Sequence, residues 1–468
     1  CEQWWTLEAN NQFSREEASV DEPLMNTKAL FTDKAARKPR MLMFDTTAKA
    51  DMFFFGKADT KTIKQDPQKI GLWNPGKVQK HGQMEETKGE ENEDIEDPTN
   101  KPYKALDMST KNVQLVPIYG TQFNNYLNGR EFLASSGGID QLEDGVRFFL
   151  EKCDYLGGVH SILDVNSGFG SICKFLLHYL KEESPKAPIL QVAIENTLDE
   201  QDKDLVINEM RSVNKVLALN DLRGCCDAYV PIDLNAVARA PFINKKFNDP
   251  ELHLSFLLSN LTMPYRMNSL KSAFMDMRSY LNCLVPSPST ALVNMFAKVP
   301  NKSSDPSDNS DTIFEYPSKL RACFFDINLE RTKKERMEVF GESYVLRGNL
   351  DSVRYKKVNL LSSTPLCTWD QNIYLQDEII NFFDPAYKEI YGVKDELTEE
   401  WMLQSIPYHT VAVNHEVFRY SIERWAKDLK GVSYGTLVQY TKEDFTDDDL
   451  KELQHDLNTL HDNYDTRQ

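Results

Sequence analysis

The chain has 468 residues, of which 41% are hydrophobic and 27% charged, so it can bury a large core and build two or three domains. Its net charge of −18 argues against a nucleic-acid binder, because phosphate neutralisation needs a clustered basic surface, and no nucleic-acid partner is expected. No apolar run approaches the roughly 20 residues that a membrane-spanning helix needs. The eight cysteines lack the paired spacing that holds zinc, which predicts reduced thiols in a cytosolic protein and no metal site.

The first two segments of the chain differ in apolar content. Residues 1–65 include the short apolar run Met41–Phe44, which predicts a strand. The sequence opens on Cys1 without the features of a secretory signal, so the native start is expected to be missing. Residues 66–104 contain few apolar side chains and the acidic run Glu85–Asp97. Such a segment cannot bury enough surface to offset the entropy of ordering it, and an acidic disordered insert is predicted there.

Strand-like and helix-like patterns alternate over residues 105–300. Period-2 or continuous apolar runs predict strands at Val113–Tyr119, Val159–Val165, Pro188–Ile194 and Ala228–Ile232. Apolar repeats at helical spacing predict helices over 141–152, 172–180 and 206–217. This succession predicts an α/β domain with a mostly parallel sheet and helices on both faces.

The last third of the chain divides into three further segments. Residues 301–312 are rich in Ser, Asp, Asn and Pro and predict a linker. Residues 313–410 predict a smaller α+β intermediate region. Residues 411–468 predict C-terminal helices over Glu416–Leu429 and Asp447–Tyr464, the second with Thr446 as its N-cap.

The most informative local pattern is the turn Asn166–Gly170 between a predicted strand and a predicted helix. In α/β proteins, a glycine-containing turn at this position presents backbone N–H groups and a helix N-terminus to a phosphate. A structural turn needs only one or two glycines, so the pattern also fits a turn without a ligand.

Several short motifs occur in an order that resembles one superfamily. Residues 153–183 resemble, without a gap, the tubulin stretch with the phosphate-binding loop. Other motifs resemble tubulin segments at Asp276 with Leu284–Pro288, at Leu346–Gly348 and at Gln439–Thr441. Three more resemble the Misato family in particular: Trp4-Trp5, Glu151–Leu156 and Thr262–Arg266. The chain therefore resembles the Misato family of tubulin-like proteins, within the tubulin/FtsZ superfamily.

The resemblance implies a tubulin-like fold: a nucleotide-binding-type α/β domain, a central core helix ending near Pro264, a smaller intermediate domain and C-terminal helices. It implies a role in mitochondrial distribution and morphology, and a cytoplasmic location with peripheral attachment to the mitochondrial outer membrane. The implied partners are mitochondrial surface proteins, tubulin or the cytosolic chaperonin machinery.

The resemblance also indicates which residues would contact a nucleotide. In the first candidate phosphate loop these are Asn166, Ser167, Gly168, Gly170 and Ser171. Phe169 lies between the two glycines, where tubulins have the loop threonine. Ile172 follows the loop, where tubulins have a glycine. If the phenyl ring points into the cradle it fills the phosphate space, and if it points away a partial nest remains. Both interpretations stay open at this point.

A second candidate loop, Gly120–Gly129, is similar to the loop that tubulins close over the terminal phosphate. Its candidate contacts are Asn124 and Asn125, although Asn and Gly equally favour an exposed turn. The resemblance places a catalytic acid three residues after Asp276, where this chain has Ser279. A serine cannot orient or deprotonate water as a carboxylate does, so no catalytic residue is predicted.

The leading hypothesis is therefore a non-enzymatic tubulin-like protein of mitochondrial organisation, with no cofactor expected. One alternative is a GTP-binding switch or slow GTPase, with GTP as its ligand. Another is a tubulin- or chaperonin-associated factor in microtubule and spindle assembly.

Overall fold

The computed structural model of the chain describes the following residues, to which every structural statement below refers: 8, 29–33, 38–46, 112–116, 123–135, 137–196, 205–240, 242–243, 249–267, 274–299, 322–323, 338–348, 366–369, 373–374, 393–394, 401–402, 405–441 and 445–465. The predicted acidic insert at 66–104 and the predicted linker at 301–312 lie outside these residues, as does most of the segment 1–65.

Strands and helices are numbered separately in chain order. The strands are β1 (Phe31–Asp33), β2 (Lys38–Pro39), β3 (Met43–Thr46), β4 (Val113–Val116), β5 (Val159–Asp164), β6 (Ile189–Glu195), β7 (Ala228–Asp233), β8 (Asn294–Lys298), β9 (Ala322–Cys323), β10 (Val339–Arg347), β11 (Leu366–Trp369), β12 (Ile373–Tyr374), β13 (Val393–Lys394), β14 (Trp401–Met402), β15 (Ser405–Ile406) and β16 (Tyr408–His415). The helices are α1 (Asn128–Ala134), α2 (Gly138–Leu150), α3 (Phe169–Glu183), α4 (Leu205–Arg223), α5 (Leu234–Ala238), α6 (Pro250–Arg266), α7 (Met277–Leu284), α8 (Phe418–Lys430), α9 (Tyr434–Thr441) and α10 (Asp447–Asn463).

A parallel sheet in the order β5-β6-β7 forms the first layer. Val159 lies opposite Ile189, and Leu190 opposite Ala228. Strands β3 and β4 form a second parallel pair. Helices α3 and α4 connect β5 to β6 and β6 to β7. The prediction of a mixed α/β chain with parallel strands and connecting helices is therefore confirmed.

The parallel sheet is covered by apolar side chains on both faces. On one face, Leu190 and Val192 of β6 pack in a first core cluster together with helix α6. On the other face, Ile189 and Ala193 pack in a second core cluster with α3, α4, α8 and α10. Neighbouring residues of β6 thus enter opposite clusters, as expected for a strand buried on both sides.

A five-stranded sheet in the order β11-β10-β16-β8-β9 forms the second layer. β10 pairs with β11 in parallel, and the other pairs are antiparallel. The sheet joins residues from three of the predicted segments, because β8 comes before residue 300 and β16 runs across residue 410. Helix α6 contacts β10 and β16, and it ends at Arg266, close to the end that the resemblance implied for the core helix.

The C-terminal helices agree with their predicted positions, and α9 lies between them as a further short helix. Helix α10 begins at the predicted cap: the N–H of Asp449 donates to the Thr446 hydroxyl at 3.3 Å, and the N–H of Thr446 donates back to the Asp449 carboxylate at 2.6 Å. This reciprocal arrangement satisfies two backbone donors that a helix start leaves without an intrahelical acceptor.

Two further features of the described residues bear on function. No described helix combines the length and the apolar composition that crossing a membrane requires. The six cysteines whose side chains are described form no disulfide: Cys153, Cys173, Cys225, Cys226, Cys283 and Cys367.

Candidate functional site

Two loops pack against each other at the carboxyl end of strand β5. The first loop, 166–171, comprises the turn 166–168 and the first turn of helix α3, and the described part of the second loop, 123–127, leads into helix α1. The N–H of Gly168 donates to the carbonyl of Phe123 at 3.2 Å. The structure thus brings together the two loops whose residues the sequence predicted as candidate phosphate contacts.

The side chain of Phe169 points towards the second loop. Its ring centroid lies 4.9 Å from that of Phe123, with the rings at 66°, an edge-to-face geometry that aromatic pairs favour. The ring at the position of the tubulin threonine therefore packs between the loops. The sequence left open whether this ring points into the phosphate cradle or away from it, and the structure places it against Phe123 of the second loop.

The glycines of the first loop make room for aromatic rings of the second. A Cβ atom on Gly168 would lie 2.7 Å from Cζ of Phe123, and a Cβ atom on Gly170 would lie 2.5 Å from Cε2 of Tyr126. Gly168 has φ −65° and ψ −10°, a right-handed conformation that any residue adopts. Close packing of the rings, and not backbone conformation, is therefore the reason for glycine at this position.

Backbone N–H groups of the first loop donate to protein acceptors. The N–H of Asn166 donates to the carboxylate of Asp164 at 2.9 Å, and the N–H of Gly170 lies 3.4 Å from the carbonyl of Ser167. The N–H of Gly168 is also engaged, as described above. In a phosphate nest such groups converge on the anion instead. Asp164 adds a carboxylate at this turn, which opposes the approach of a phosphate.

The two serines of the first loop are buried and donate to backbone carbonyls. The hydroxyl of Ser167 donates to the carbonyl of Asp164 at 3.3 Å. The hydroxyl of Ser171, which is 3% exposed, donates to the carbonyl of Tyr126 at 2.8 Å. Both hydroxyls thus hold the loops in place.

The two candidate asparagines of the second loop are engaged within the protein as well. The side-chain amide of Asn125 donates to the carbonyl of Gln439 at 3.2 Å and accepts from the N–H of Leu127 at 2.9 Å. The backbone carbonyl of Asn124 accepts from a side chain of helix α4, described next.

Asn214 on α4 connects both loops to helix α9. Its Nδ2 donates to the carbonyls of Asn124 (2.6 Å) and Asn166 (3.0 Å). Its Oδ1 accepts from the N–H of Tyr126 (2.8 Å) and the hydroxyl of Tyr440 (2.7 Å). The side chain is fully buried. Sequence reasoning missed this residue; the available signal was an amide inside the apolar stripe of a helix, which requires buried polar partners.

At the carboxyl ends of the strands, where α/β proteins bind ligands, side chains of α4 and α8 lie near the end of β6. Lys215 of α4 donates to Glu195 at the end of β6 at 2.7 Å, and its ammonium lies 5.8 Å from the ring centroid of Trp425 on α8. A cavity beside these residues has a volume of about 10 Å³. That volume accommodates at most one water molecule.

The position of the tubulin catalytic acid has a local structural role here. Asp276 is the N-cap of helix α7, and its carboxylate accepts from the N–H of Ser279 (3.0 Å) and from the Ser279 hydroxyl (2.6 Å). These hydrogen bonds lower the pKa of Asp276. A carboxylate held ionised as a helix cap is a weak base, and the serine hydroxyl is already used as its donor.

Outside the loops, two arginines of the resemblance motifs converge on Glu8. Arg266 at the end of α6 forms a bidentate ion pair with Glu8, at 2.6 and 2.9 Å. Arg347 at the end of β10 donates to the hydroxyl of Ser259 at 3.4 Å, and its charge also acts on Glu8. Both arginines and Glu8 are almost fully buried. The cluster joins the amino-terminal segment to both sheet layers.

Comparison with known proteins supports the resemblance over part of the chain. The chain is similar to Protein misato homolog 1 of Mus musculus, with 26% identity over 157 residues that cover 30% of this chain and 27% of that protein. The match thus spans about a quarter of the curated relative's length. No family model matches the chain. The predicted relationship to Misato proteins is confirmed at this level of similarity.

Proposed function

We propose that this chain is a non-enzymatic tubulin-like protein that acts in mitochondrial distribution and morphology through protein contacts. One observation carries the non-enzymatic part: the two candidate phosphate loops are packed against each other, with aromatic rings over the glycines and with both serine hydroxyls donating to carbonyls. The similarity to the Misato protein supports the mitochondrial part.

The tubulin-like assignment of the fold is part of the same proposal. The order of its parts supports it: a parallel sheet, the buried helix α6, a second sheet and C-terminal helices. We further propose a cytoplasmic protein that attaches peripherally to the mitochondrial outer membrane through surface proteins. Tubulin or the cytosolic chaperonin machinery would be further partners.

A second candidate function is a GTP-binding switch or slow GTPase. One buried hydrogen-bond donor of the first loop favours it. The Nδ2 of Asn166 is buried and has no hydrogen-bond partner among the described residues. It lies in the first loop, and a phosphate oxygen would accept its hydrogen bond.

Calorimetric titration of the native full-length protein with GTP, with and without Mg²⁺, distinguishes the two candidates. We expect no saturable binding, because a triphosphate would have to displace the ring pair and the loop hydrogen bonds. A dissociation constant below about 10 μM, or about −6.8 kcal/mol, would contradict the proposal and favour the switch.

The mitochondrial role is tested by rescue of mitochondrial morphology in cells depleted of the protein. The full-length wild type and the Asn166→Asp variant are expected to restore morphology equally. The substitution hardly changes side-chain volume and keeps the Oδ1 that accepts from the N–H of Asn196 at 3.2 Å, but its negative charge repels a triphosphate.

The two parts of the proposal fail in different ways in this rescue. If the wild type does not restore morphology, the mitochondrial role is wrong. If the wild type restores it and the folded variant, produced at equal level, does not, nucleotide binding is needed and the non-enzymatic proposal is wrong.

A further inference from the structure

A cluster of polar side chains attaches the start of helix α9 to helix α4. One carboxylate oxygen of Glu209 on α4 accepts from the N–H of Ser433 at 3.0 Å and from the Ser433 hydroxyl at 2.6 Å. The same oxygen accepts from the hydroxyl of Thr436 at 2.5 Å. The start of α9 is therefore held by one negative charge on α4 and by hydrogen-bond donors that face it.

The end of α9 is attached to the second loop. The carbonyl of Gln439 accepts from the side-chain amide of Asn125, and the hydroxyl of Tyr440 donates to Asn214, which also binds both loops. Helix α9 has only eight residues, about two turns. Because the helix is so short, opening of its first turn removes support from the turn that contacts the second loop.

Ser433 is the accessible member of the cluster. Its side chain is exposed, whereas Thr436 is fully buried. The next residue, Tyr434, is 80% exposed, so the segment around Ser433 lies on the surface. Two exposed lysines at the end of α8, Lys427 and Lys430, precede it. Charge patterns of this kind around a hydroxyl are features by which kinases select their substrates.

We propose that Ser433 is a phosphorylation site, and that its phosphorylation releases the start of α9 from α4 and loosens the second loop. A serine kinase transfers the γ-phosphoryl group of ATP to the Oγ of Ser433. The new P–O bond forms to Oγ, the bond from the γ-phosphorus to the bridging oxygen breaks, and ADP leaves. The hydroxyl proton passes to the catalytic base of the kinase. This regulation depends neither on nucleotide binding nor on the mitochondrial role.

Phosphorylation replaces a hydrogen-bond donor with a negative charge. The Oγ of Ser433 loses its proton and can no longer donate to Glu209, and the phosphate adds a charge of about −1.5 to −2 at pH 7. That charge lies beside the Glu209 carboxylate, and like charges at this range repel. Negative charge at the start of a helix stabilises the helix itself. We therefore expect α9 to remain helical and to lose its attachment to α4.

Hydrogen exchange of the full chain with phosphoserine incorporated at position 433 tests the release. The amides of Tyr126 and Leu127 in the second loop are expected to exchange about tenfold faster than in the unmodified protein. Exchange at Val230 in β7 is expected to stay the same. The matched control is Ser433→Ala, which removes the hydroxyl donor and adds no charge. It is expected to accelerate exchange by less than about threefold, since the N–H of residue 433 and Thr436 still donate to Glu209.

A second variant tests whether repulsion by Glu209 is the cause. Glu209→Gln removes the negative charge and keeps an oxygen that accepts hydrogen bonds. In this variant, phosphoserine at position 433 is expected to accelerate exchange of the second loop by less than about threefold. An unchanged tenfold acceleration would show that Glu209 does not mediate the release.

Mass spectrometry of peptides from the native protein tests the modification itself. The protein is isolated from growing cells in the presence of phosphatase inhibitors, and we expect phosphate on Ser433. Absence of phosphate there, or phosphate only on Tyr434 or Thr436, would overturn the proposal. So would second-loop exchange that is no faster with phosphoserine than with Ser433→Ala.

Discussion

Replacing Glu8 with alanine is expected to lower the free energy of unfolding by about 3–5 kcal/mol, the typical cost of breaking a buried ion pair by removing one partner. The carboxylate holds both terminal nitrogens of Arg266, and the charge of Arg347 acts on it as well. Without Glu8, the guanidinium group of Arg266 stays buried and loses the carboxylate that holds both of its terminal nitrogens.

The loss in free energy of unfolding that Glu8→Ala causes depends on pH. Burial raises the pKa of Glu8, but the charge and hydrogen bond of Arg266 lower it. The pKa of Glu8 is therefore below its usual value of 4.5. A carboxylate with a lowered pKa stabilises the native state fully above its unfolded pKa, and this contribution disappears as pH falls through the folded pKa. The difference between wild type and Glu8→Ala is therefore expected to be constant from about pH 7 to about pH 5.5 and to shrink below about pH 4.5.

Urea unfolding followed by circular dichroism at several pH values measures both effects. Asp448→Ala is a matched control, because it removes a carboxylate from an ion pair with Lys451 whose side chains are 90% and 73% exposed. Exposed pairs of this kind contribute little, and a carboxylate in the first turn of a helix adds about 0.3–1 kcal/mol, so a loss of at most about 1 kcal/mol is expected. If Glu8→Ala behaves like the control at neutral pH, the buried cluster does not form in solution.

Local patterns in the sequence predicted the elements of the first layer well. The apolar run before the turn predicted β5, and the apolar repeat after the turn predicted α3, because that repeat follows the helical period of 3.6 residues. The pairing within the second sheet was not predictable in the same way. Asn294 lies opposite Val413, although the two residues are far apart in the sequence. Such pairing depends on tertiary packing, which a short stretch of sequence does not reveal. Helix α9 was missed because its eight residues form too short a periodic pattern.

In the candidate site, too, local patterns did not predict which residues from distant parts of the chain pack together. The glycine pattern predicted a turn at the correct position. Whether Gly168 serves a ligand or a close contact depends on where Phe123 packs, and that residue comes from a separate part of the chain. Sequence reasoning also missed Asn214 and Glu8, because the partners of a buried polar side chain are set by the fold and not by its neighbours in sequence.

Replacing Asn214 with leucine, a side chain of similar size, is expected to lower the free energy of unfolding by about 2–4 kcal/mol. The substitution leaves the N–H of Tyr126 and two loop carbonyls without their amide partner. Each buried polar group left unsatisfied costs about 1–3 kcal/mol. The total is below the simple sum because groups in one network do not contribute additively, and because the hydroxyl of Tyr440 keeps the carbonyl of Met210 as an acceptor at 3.1 Å.

The same substitution is expected to loosen α9 and the second loop before the rest of the protein, since Asn214 joins them to α4. Hydrogen exchange of 123–127 and 434–441 should therefore rise more than that of β7. Asn208→Leu is the matched control: it lies on the same helix, is partly exposed, and its side-chain oxygen accepts from Arg211 at 3.5 Å. If both variants lose the same stability and show the same exchange pattern, Asn214 does not connect the loops to α9.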